Sequence, residues 1–192
     1  MTRLTELANE LMCDKGTQHF EAHGYTEFYA HLVPEHGAFD LLEIGVKYGS
    51  SLWMWNHWNK EMKVYGIDIE PLCCPLHPNV SVSVGSQSDY AFLKSTADQA
   101  KAFDVIIDDG SHRYSDIMTS FITLWPYVRY GGYYIIEDLH APHARAKHVT
   151  QDVHNRISHN DHWASRTLFK GKMLVVRKTR LAHWPLYVKS FF

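Results

Sequence analysis

The spacing of apolar and polar positions predicts alternating strands and helices along most of the chain. Short apolar runs typical of strands lie at residues 39–44, 63–67, 80–84, 103–108 and 133–137. Segments with the apolar period of a helix lie between them, at 51–60, 89–99 and 114–128, and two more come earlier, at 4–12 and 25–32. The strand runs are continuous rather than alternating, which is typical of parallel strands that helices cover on both faces.

The pattern changes near the carboxyl terminus, where strand-like runs at 166–170 and 172–178 are joined at Gly171. An alternating βα series that ends in a hairpin predicts an α/β fold. We expect a Rossmann-like, doubly wound, mostly parallel seven-stranded sheet with an antiparallel C-terminal hairpin. The 192 residues suit a single domain over 1–192, with a helical cap at 1–36 and a short segment at 139–164 before the hairpin.

Composition and charge narrow the choice of partners. The net charge of −2 with neutral histidines provides no broad basic field for nucleic acid or an anionic membrane. No apolar run reaches the roughly 18–20 residues of a membrane span. Three cysteines cannot form a disulfide framework, which favours a reducing cytoplasm. We therefore expect a cytoplasmic protein with a small-molecule partner and no nucleic-acid or membrane partner, and a homo-oligomer is compatible with this composition.

The first three predicted strands end in residue types that suit a nucleoside. Two glycines follow the first strand in G-x-x-x-G spacing, which differs from the G-x-G-x-x-G of NAD sites. Asp68 ends the second strand about 20 residues further on, where an acid can accept hydrogen bonds from both ribose hydroxyls. Capped turns are the alternative interpretation of each element taken alone. The candidate nucleoside-binding residues are Glu43, Gly45, Gly49, Ser50, Asp68, Ser86, Gln87 and Asp108.

Acidic residues cluster after the fourth and fifth predicted strands. The fourth strand ends in Asp108 and Asp109 with His112 three residues on, and the fifth ends in Glu137 and Asp138, followed by His140. Carboxylates gathered at neighbouring strand ends repel one another unless a cation lies among them. Oxygen ligands favour Mg²⁺, Mn²⁺ or Ca²⁺ over zinc. The alternative is that these acids cap the helices that follow.

Longer blocks of the sequence resemble the macrocin and mycinamicin O-methyltransferase family of class I methyltransferases. The blocks are DKGT at 14–17, LLEIGVKYGSSL, YGIDIEP, VGSQSD, FDVIIDDGSH and GGYYIIEDLH. The resemblance implies S-adenosylmethionine (SAM) and Mg²⁺ (or Mn²⁺) as cofactors. It also implies Asp109, Glu137 and Asp138 as metal ligands and His112 as the general base. For residues 14–19 it favours SAM binding over helix capping, and it makes 139–164 the acceptor side.

Together these observations predict an O-methyltransferase that depends on SAM and a divalent metal. The acceptor is expected to be a hydroxyl of a sugar or of a natural-product-like small molecule. One alternative is a metal-dependent hydrolase that uses the same carboxylate and histidine cluster, which would leave Gly45, Asp68 and Gln87 without a role. The other is a SAM-binding subunit without catalytic activity. Binding of SAM would distinguish the methyltransferase from the hydrolase, and methyl transfer would distinguish it from the non-catalytic subunit.

Overall fold

One mostly parallel sheet organises the chain. The computed structural model describes residues 1–72, 77–157, 162–168 and 171–179. The strands are β1 (Phe39–Ile44), β2 (Met62–Asp68), β3 (Val80–Val84), β4 (Phe103–Asp108), β5 (Val128–Ile136), β6 (His162–Leu168) and β7 (Met173–Thr179). They form a seven-stranded sheet in the order β3-β2-β1-β4-β5-β7-β6.

The first five strands are parallel, and the last two form the antiparallel edge. β1 pairs with both β2 and β4, so that Ile44 lies level with Ile67 on one side and with Asp108 on the other. β7 runs antiparallel to β5 and to β6. The strand order reverses direction between β1 and β4, which is where ligands bind in sheets of this type. The predicted α/β fold and its C-terminal hairpin are confirmed.

Helices cover both faces of the sheet, as the continuous apolar runs predict. They are α1 (Arg3–Glu10), α2 (Thr26–Leu32), α3 (Ser50–Trp58), α4 (Tyr90–Ala100), α5 (Tyr114–Leu124) and α6 (Ala146–Ile157). The first three pack against one face, whose core contains Leu41, and the last three pack against the other, whose core contains Leu42. Consecutive strand residues thus enter opposite cores, so both are buried. Among the described residues, no helix is both long enough and apolar enough to cross a bilayer.

The structure differs from the predicted elements in the region between β4 and β7. The helix predicted over 114–128 ends at Leu124, and a 3₁₀ turn over Trp125–Tyr127 follows because Pro126 cannot continue an α-helix. β5 begins at Val128, earlier than the predicted residue 133. The pattern also gave no sign of α6, which occupies half of the 139–164 segment.

An ion cluster ties three strands together at the edge opposite to the strand carboxyl ends. The guanidinium of Arg129, at the start of β5, pairs with Asp104 and lies 2.6 Å from Asp40 Oδ2. Asp104 Oδ2 also accepts a hydrogen bond of 2.8 Å from the backbone N–H of Asp40. This clamp fixes the beginnings of β1, β4 and β5, and hence the register that carries their other ends into one site.

Candidate active site

The glycine turn after β1 is held by the acid that ends β2. The backbone N–H groups of Val46 and Lys47 each donate to Asp68 Oδ2 at 2.8 Å. Gly45 and Gly49 have φ values of +85° and +84°, which favour glycine. A Cβ on Gly45 would lie 2.1 Å from the carbonyl oxygen of Asp109, so the turn after β1 touches the turn after β4. Asp68 thus orders the turn that we expect to bind SAM.

Two of the predicted nucleoside contacts are buried against each other. Gln87 Nε2 donates to Asp108 Oδ1 at 3.1 Å and to Ser120 Oγ at 3.0 Å. Its Oε1 accepts from the backbone N–H of Ser111. Burial raises the pKa of Asp108 to about 7. Gln87 and Asp108 therefore hold the turn after β4 in place through buried hydrogen bonds. A direct contact of either residue with SAM stays a prediction.

Exposed apolar side chains mark the remaining surface of this edge. Tyr48, Ile69 and Val84 are 81%, 69% and 52% exposed, and they lie in the glycine turn, after β2 and at the end of β3. Such side chains at three neighbouring strand ends provide an apolar surface that a purine ring can cover. Asp68 lies beside them with hydrogen-bond capacity for a ribose. Ser50 begins α3 after Gly49, and Ser86 Oγ lies 2.8 Å from Ser88 Oγ. These residues fit the nucleoside part of SAM.

The next two turns bring a possible set of metal ligands together. One ligand atom each of Asp109, His112 and Asp138 can be chosen so that all lie within 4.8 Å of one another. His112 and Asp138 have φ values of +54° and +50°, which non-glycine residues rarely adopt and which concentrate at functional sites. Two carboxylates and an imidazole are a donor set that a divalent cation accepts. The site therefore fits the expected metal.

Glu137, a predicted metal ligand, lies outside that group of three. Its Oε1 accepts a hydrogen bond from the hydroxyl of Tyr29, and its Oε2 accepts one of 2.7 Å from Lys15 Nζ. The same ammonium lies 2.6 Å from Asp109 Oδ2 and 3.2 Å from Glu43 Oε1. Burial lowers the pKa of Lys15, but the three carboxylates raise it more, so that it stays well above its ordinary value. Glu137 as a metal ligand stays a prediction.

The cap that precedes β1 therefore contributes to the site. Besides Lys15 and Tyr29, the hydroxyl of Tyr25 donates to Asp138 Oδ1 at 2.8 Å, and His23 Nε2 lies 3.5 Å from Asp138 Oδ2. Sequence reasoning placed residues 14–19 near SAM by resemblance, whereas the structure places Lys15 among the carboxylates. The DKGT block at 14–17 was the part of the sequence that indicated a role for this segment. Its position in the sequence alone does not show which strand ends it contacts.

Helix capping does not explain the acidic cluster after β4. The residue that precedes α5 is Arg113, and no side chain caps this helix. Ser111 Oγ donates to Asp116 Oδ2 at 2.8 Å and accepts a hydrogen bond of 3.3 Å from the backbone N–H of Arg113, whereas neither Asp108 nor Asp109 bonds to this helix end. The capping alternative is wrong for Asp108 and Asp109.

A cavity of about 360 Å³ opens between the segments that follow the two acidic clusters. It is lined by Arg113, Tyr114, Ser115, Pro142, His143 and Arg145. The backbone N–H of Tyr114 donates to the carbonyl of His143 at 3.0 Å, which joins the two segments beneath it. The cavity begins one residue beyond His112 and lies on the side of the sheet edge where an acceptor is expected.

The fold and the site define a methyltransferase-type Rossmann-like domain: a glycine turn after β1, an acid after β2, and an antiparallel edge beside β5. The chain belongs to the methyltransferase-domain family, whose profile matches residues 42–139.

Its relatives include methyltransferases that act on sugars of natural products. It is 36% identical to the 8-demethyl-8-alpha-L-rhamnosyl tetracenomycin-C 2'-O-methyltransferase of Streptomyces olivaceus over 74% of this chain and 40% of that protein. It is 43% identical to the demethylmacrocin O-methyltransferase of Streptomyces fradiae over 47% of this chain and 23% of that protein. The chain thus spans less than half the length of these relatives. The predicted family resemblance is confirmed.

Solved structures show the same similarity. The MycE methyltransferase of the mycinamycin biosynthetic pathway, in complex with Mg and SAH, superposes with a TM-score of 0.78 at 25% identity. That match covers 100% of this chain and 58% of MycE. The complex of MycE with Mg, SAH and mycinamycin VI gives a TM-score of 0.76 at 26% identity.

Proposed function

We propose that this protein transfers the methyl group of SAM to a hydroxyl of a sugar or of a natural-product-like small molecule, with Mg²⁺ or Mn²⁺ bound at the active site. The observation that carries the proposal is the convergence of Asp109, His112 and Asp138 within 4.8 Å, next to the glycine turn. The relatives that methylate sugars of natural products support the acceptor class. A cytoplasmic location is part of the proposal, because three cysteines without a disulfide framework suit a reducing compartment.

The cofactors and the chain divide the chemistry between them. When bound, SAM would supply the methyl group and the metal ion would stabilise the negative charge that develops on the acceptor oxygen. Asp109 and Asp138 would hold the metal, with Glu137 as the third expected ligand once its carboxylate rotates away from Lys15 or Tyr29. Asp68 and the glycine turn order the nucleoside end, whereas the buried carboxylate of Glu43, the other acid expected there, accepts a hydrogen bond from Trp55 Nε1 at 2.9 Å and lies 3.2 Å from Lys15 Nζ.

His112 is the general base of the proposal. Its Nε2 is 3.9 Å from Asp109 Oδ1, too far for a hydrogen bond, and its side chain is 26% exposed. An imidazole at this position can reach a hydroxyl that approaches the metal and accept its proton. The residue that follows lines the cavity, so the acceptor can enter from that side.

The first test of the proposal is calorimetric titration with SAM. We expect micromolar affinity, and we expect the Asp68→Ala variant to bind SAM and its demethylated product about 1.5–3 kcal/mol more weakly through loss of charge-assisted hydrogen bonds. Asp68→Asn separates lost charge from lost support of the glycine turn. Asp98→Ala is the matched control, because it removes an exposed acid on α4 that pairs with Lys94.

Methyl transfer is then measured with labelled SAM and a panel of glycosylated aglycones. Transfer should cease in EDTA and return with Mg²⁺ or Mn²⁺. Metal-dependent hydrolysis by a protein that does not bind SAM would contradict the proposal and favour the hydrolase. SAM binding without transfer to any acceptor would favour the non-catalytic subunit.

A further inference from the structure

We propose that Lys15 is a permanent cation of the active site, which keeps the surrounding carboxylates assembled without a metal and competes with the metal for them. The second half of this inference rests on the proposed metal site, and the first half does not. It makes Lys15 a positioning residue, since it acts through the carboxylates.

Three carboxylates surround the ammonium group of Lys15: those of Asp109 and Glu137 accept hydrogen bonds from it, and that of Glu43 is an ion-pair partner. Their oxygens lie 2.6 Å (Asp109), 2.7 Å (Glu137) and 3.2 Å (Glu43) from Nζ. The residue is fully buried, and so are Glu43 and Glu137. Glu43 Oε1 has no hydrogen-bond partner among the described residues, which leaves the ammonium as its compensating charge. Lys15 is therefore the cation on which this buried group depends.

The ammonium of Lys15 is one of the positive charges that balance the carboxylates of the site. Four carboxylates, those of Glu43, Asp109, Glu137 and Asp138, lie around Lys15 and the expected metal. A divalent ion and the sulfonium of SAM would supply three positive charges, and the ammonium supplies the fourth. Without ligands, Lys15 is the cation in direct contact with the two fully buried carboxyl groups, those of Glu43 and Glu137. It is thus the one positive group that this set of residues contains in every state of loading.

Asp109 is the residue through which the ammonium and the metal would compete. Its Oδ2 is 2.6 Å from Lys15 Nζ, whereas its Oδ1 faces His112 Nε2 at 3.9 Å, on the side of the metal-ligand group. Two cations that share one carboxylate repel each other. Each of them also weakens the attraction of the carboxylate for the other cation. Removal of the ammonium should therefore lower the stability of the metal-free protein and raise its affinity for the metal.

The first experiment compares Lys15→Met with a matched control. Lys178→Met also removes a buried lysine, but Lys178 donates to the carbonyls of Trp125 and Pro126, at 3.2 and 3.3 Å. We expect both variants to melt at lower temperature than the wild type in EDTA. Mn²⁺ should raise the melting temperature of Lys15→Met by several degrees more than that of the wild type or of Lys178→Met. Titration followed by electron paramagnetic resonance should show Mn²⁺ bound at least 10-fold more tightly by Lys15→Met.

The second experiment uses Glu137→Gln in both backgrounds, in EDTA. In the wild type it removes a partner of Lys15 and should lower the melting temperature. In Lys15→Met it replaces a buried carboxyl group that has lost its cation with a neutral amide, and should raise the melting temperature. This reversal of sign needs no metal, so it tests the role of Lys15 independently of metal binding. If the wild type binds SAM but no Mn²⁺, only the metal in the proposed function is contradicted, and the test of Lys15 still stands.

Three results would overturn the inference. One is the same change in melting temperature from Glu137→Gln in both backgrounds. Another is loss or weakening of Mn²⁺ binding in Lys15→Met. If Lys15→Met does not fold, the double variant Lys15→Met/Glu137→Gln decides: recovery of folding supports the inference, and failure while Lys178→Met folds rejects it.

Discussion

The imidazole of His112 occupies a position where it can act either as a base or as a metal ligand. Its backbone has φ +54°, and one of its ring nitrogens belongs to the group of candidate metal-ligand atoms. If it is the base, His112→Ala should lower kcat by about 10²–10⁴-fold and leave the affinities for SAM and Mn²⁺ nearly unchanged. Steady-state kinetics and Mn²⁺ titration check both parts.

The control for this prediction is His140→Ala. His140 Nδ1 is 3.8 Å from Asp138 Oδ1, and its side chain is 48% exposed, so it is the rival base. A general base must lose its proton before it can act, so we expect kcat of the wild type to increase with pH. This increase should disappear in the His112 variant and remain in the His140 variant. The opposite pattern would exchange their roles, and loss of Mn²⁺ binding in His112→Ala would make His112 a ligand.

Single residues also show where sequence reasoning stops. The acids after β4 and β5 could be assigned to one site, because parallel strands carry their ends to the same edge. Lys15 could not be assigned in this way, since it precedes every strand and its place depends on how the cap folds back. A buried lysine is rare enough that nothing in local pattern predicts it, and only its contacts explain it.

The helices of the domain depend on specific end residues as well as on packing. Asp89 caps α4, and its carboxylate accepts from the backbone N–H groups of Ala91 and Phe92 at 2.9 and 3.1 Å. We expect Asp89→Ala to lower the free energy of unfolding by about 1 kcal/mol, and Asp89→Ser to recover most of it. Urea denaturation measures both. An unchanged midpoint for the alanine variant would show that α4 is held by packing alone.

Elements were predicted well where apolar residues form a continuous run and poorly where backbone chemistry decides. β1, β3 and β4 have the predicted bounds because each is a short run bordered by small or polar residues. Pro126 ended α5 early, and Gly131 and Gly132 hid the first half of β5. In α6 the buried Val149, Val153 and Ile157 have helical spacing, but histidines and other polar residues around them concealed it.

At the scale of the whole molecule, stability and chemistry are assigned to opposite edges of the sheet. The clamp of Arg129 with Asp40 and Asp104 lies at the edge away from the site. Arg129→Met leaves two carboxylates close together and should lower the free energy of unfolding by about 1 kcal/mol, since the guanidinium is partly exposed. The affinity for SAM should stay within about twofold of the wild type. A large loss of SAM affinity would show that the clamp sets the strand ends directly.

The mostly parallel sheet with its antiparallel hairpin, the covering of both faces and the edge at which the acidic residues converge all followed from the sequence. The path of the cap did not, because residues 11–25 have no periodic pattern to place them. Tyr25 and Tyr29 are apolar enough to read as core residues, and both are buried. Their hydroxyls nevertheless donate to Asp138 and Glu137, so the same side chains fill the core and fix the site.

The contact between Gly45 and the carbonyl of Asp109 has a thermodynamic consequence. The turn expected to hold SAM and the turn expected to hold the metal touch backbone to backbone, without space for even a methyl group between them. We therefore expect a shift of one turn to displace the other, which would link the occupancy of the two sites. By reciprocity, whatever factor SAM contributes to the affinity for the metal, the metal must contribute to the affinity for SAM. If both cofactors bind as proposed, each would act as an allosteric effector of the other across a single glycine.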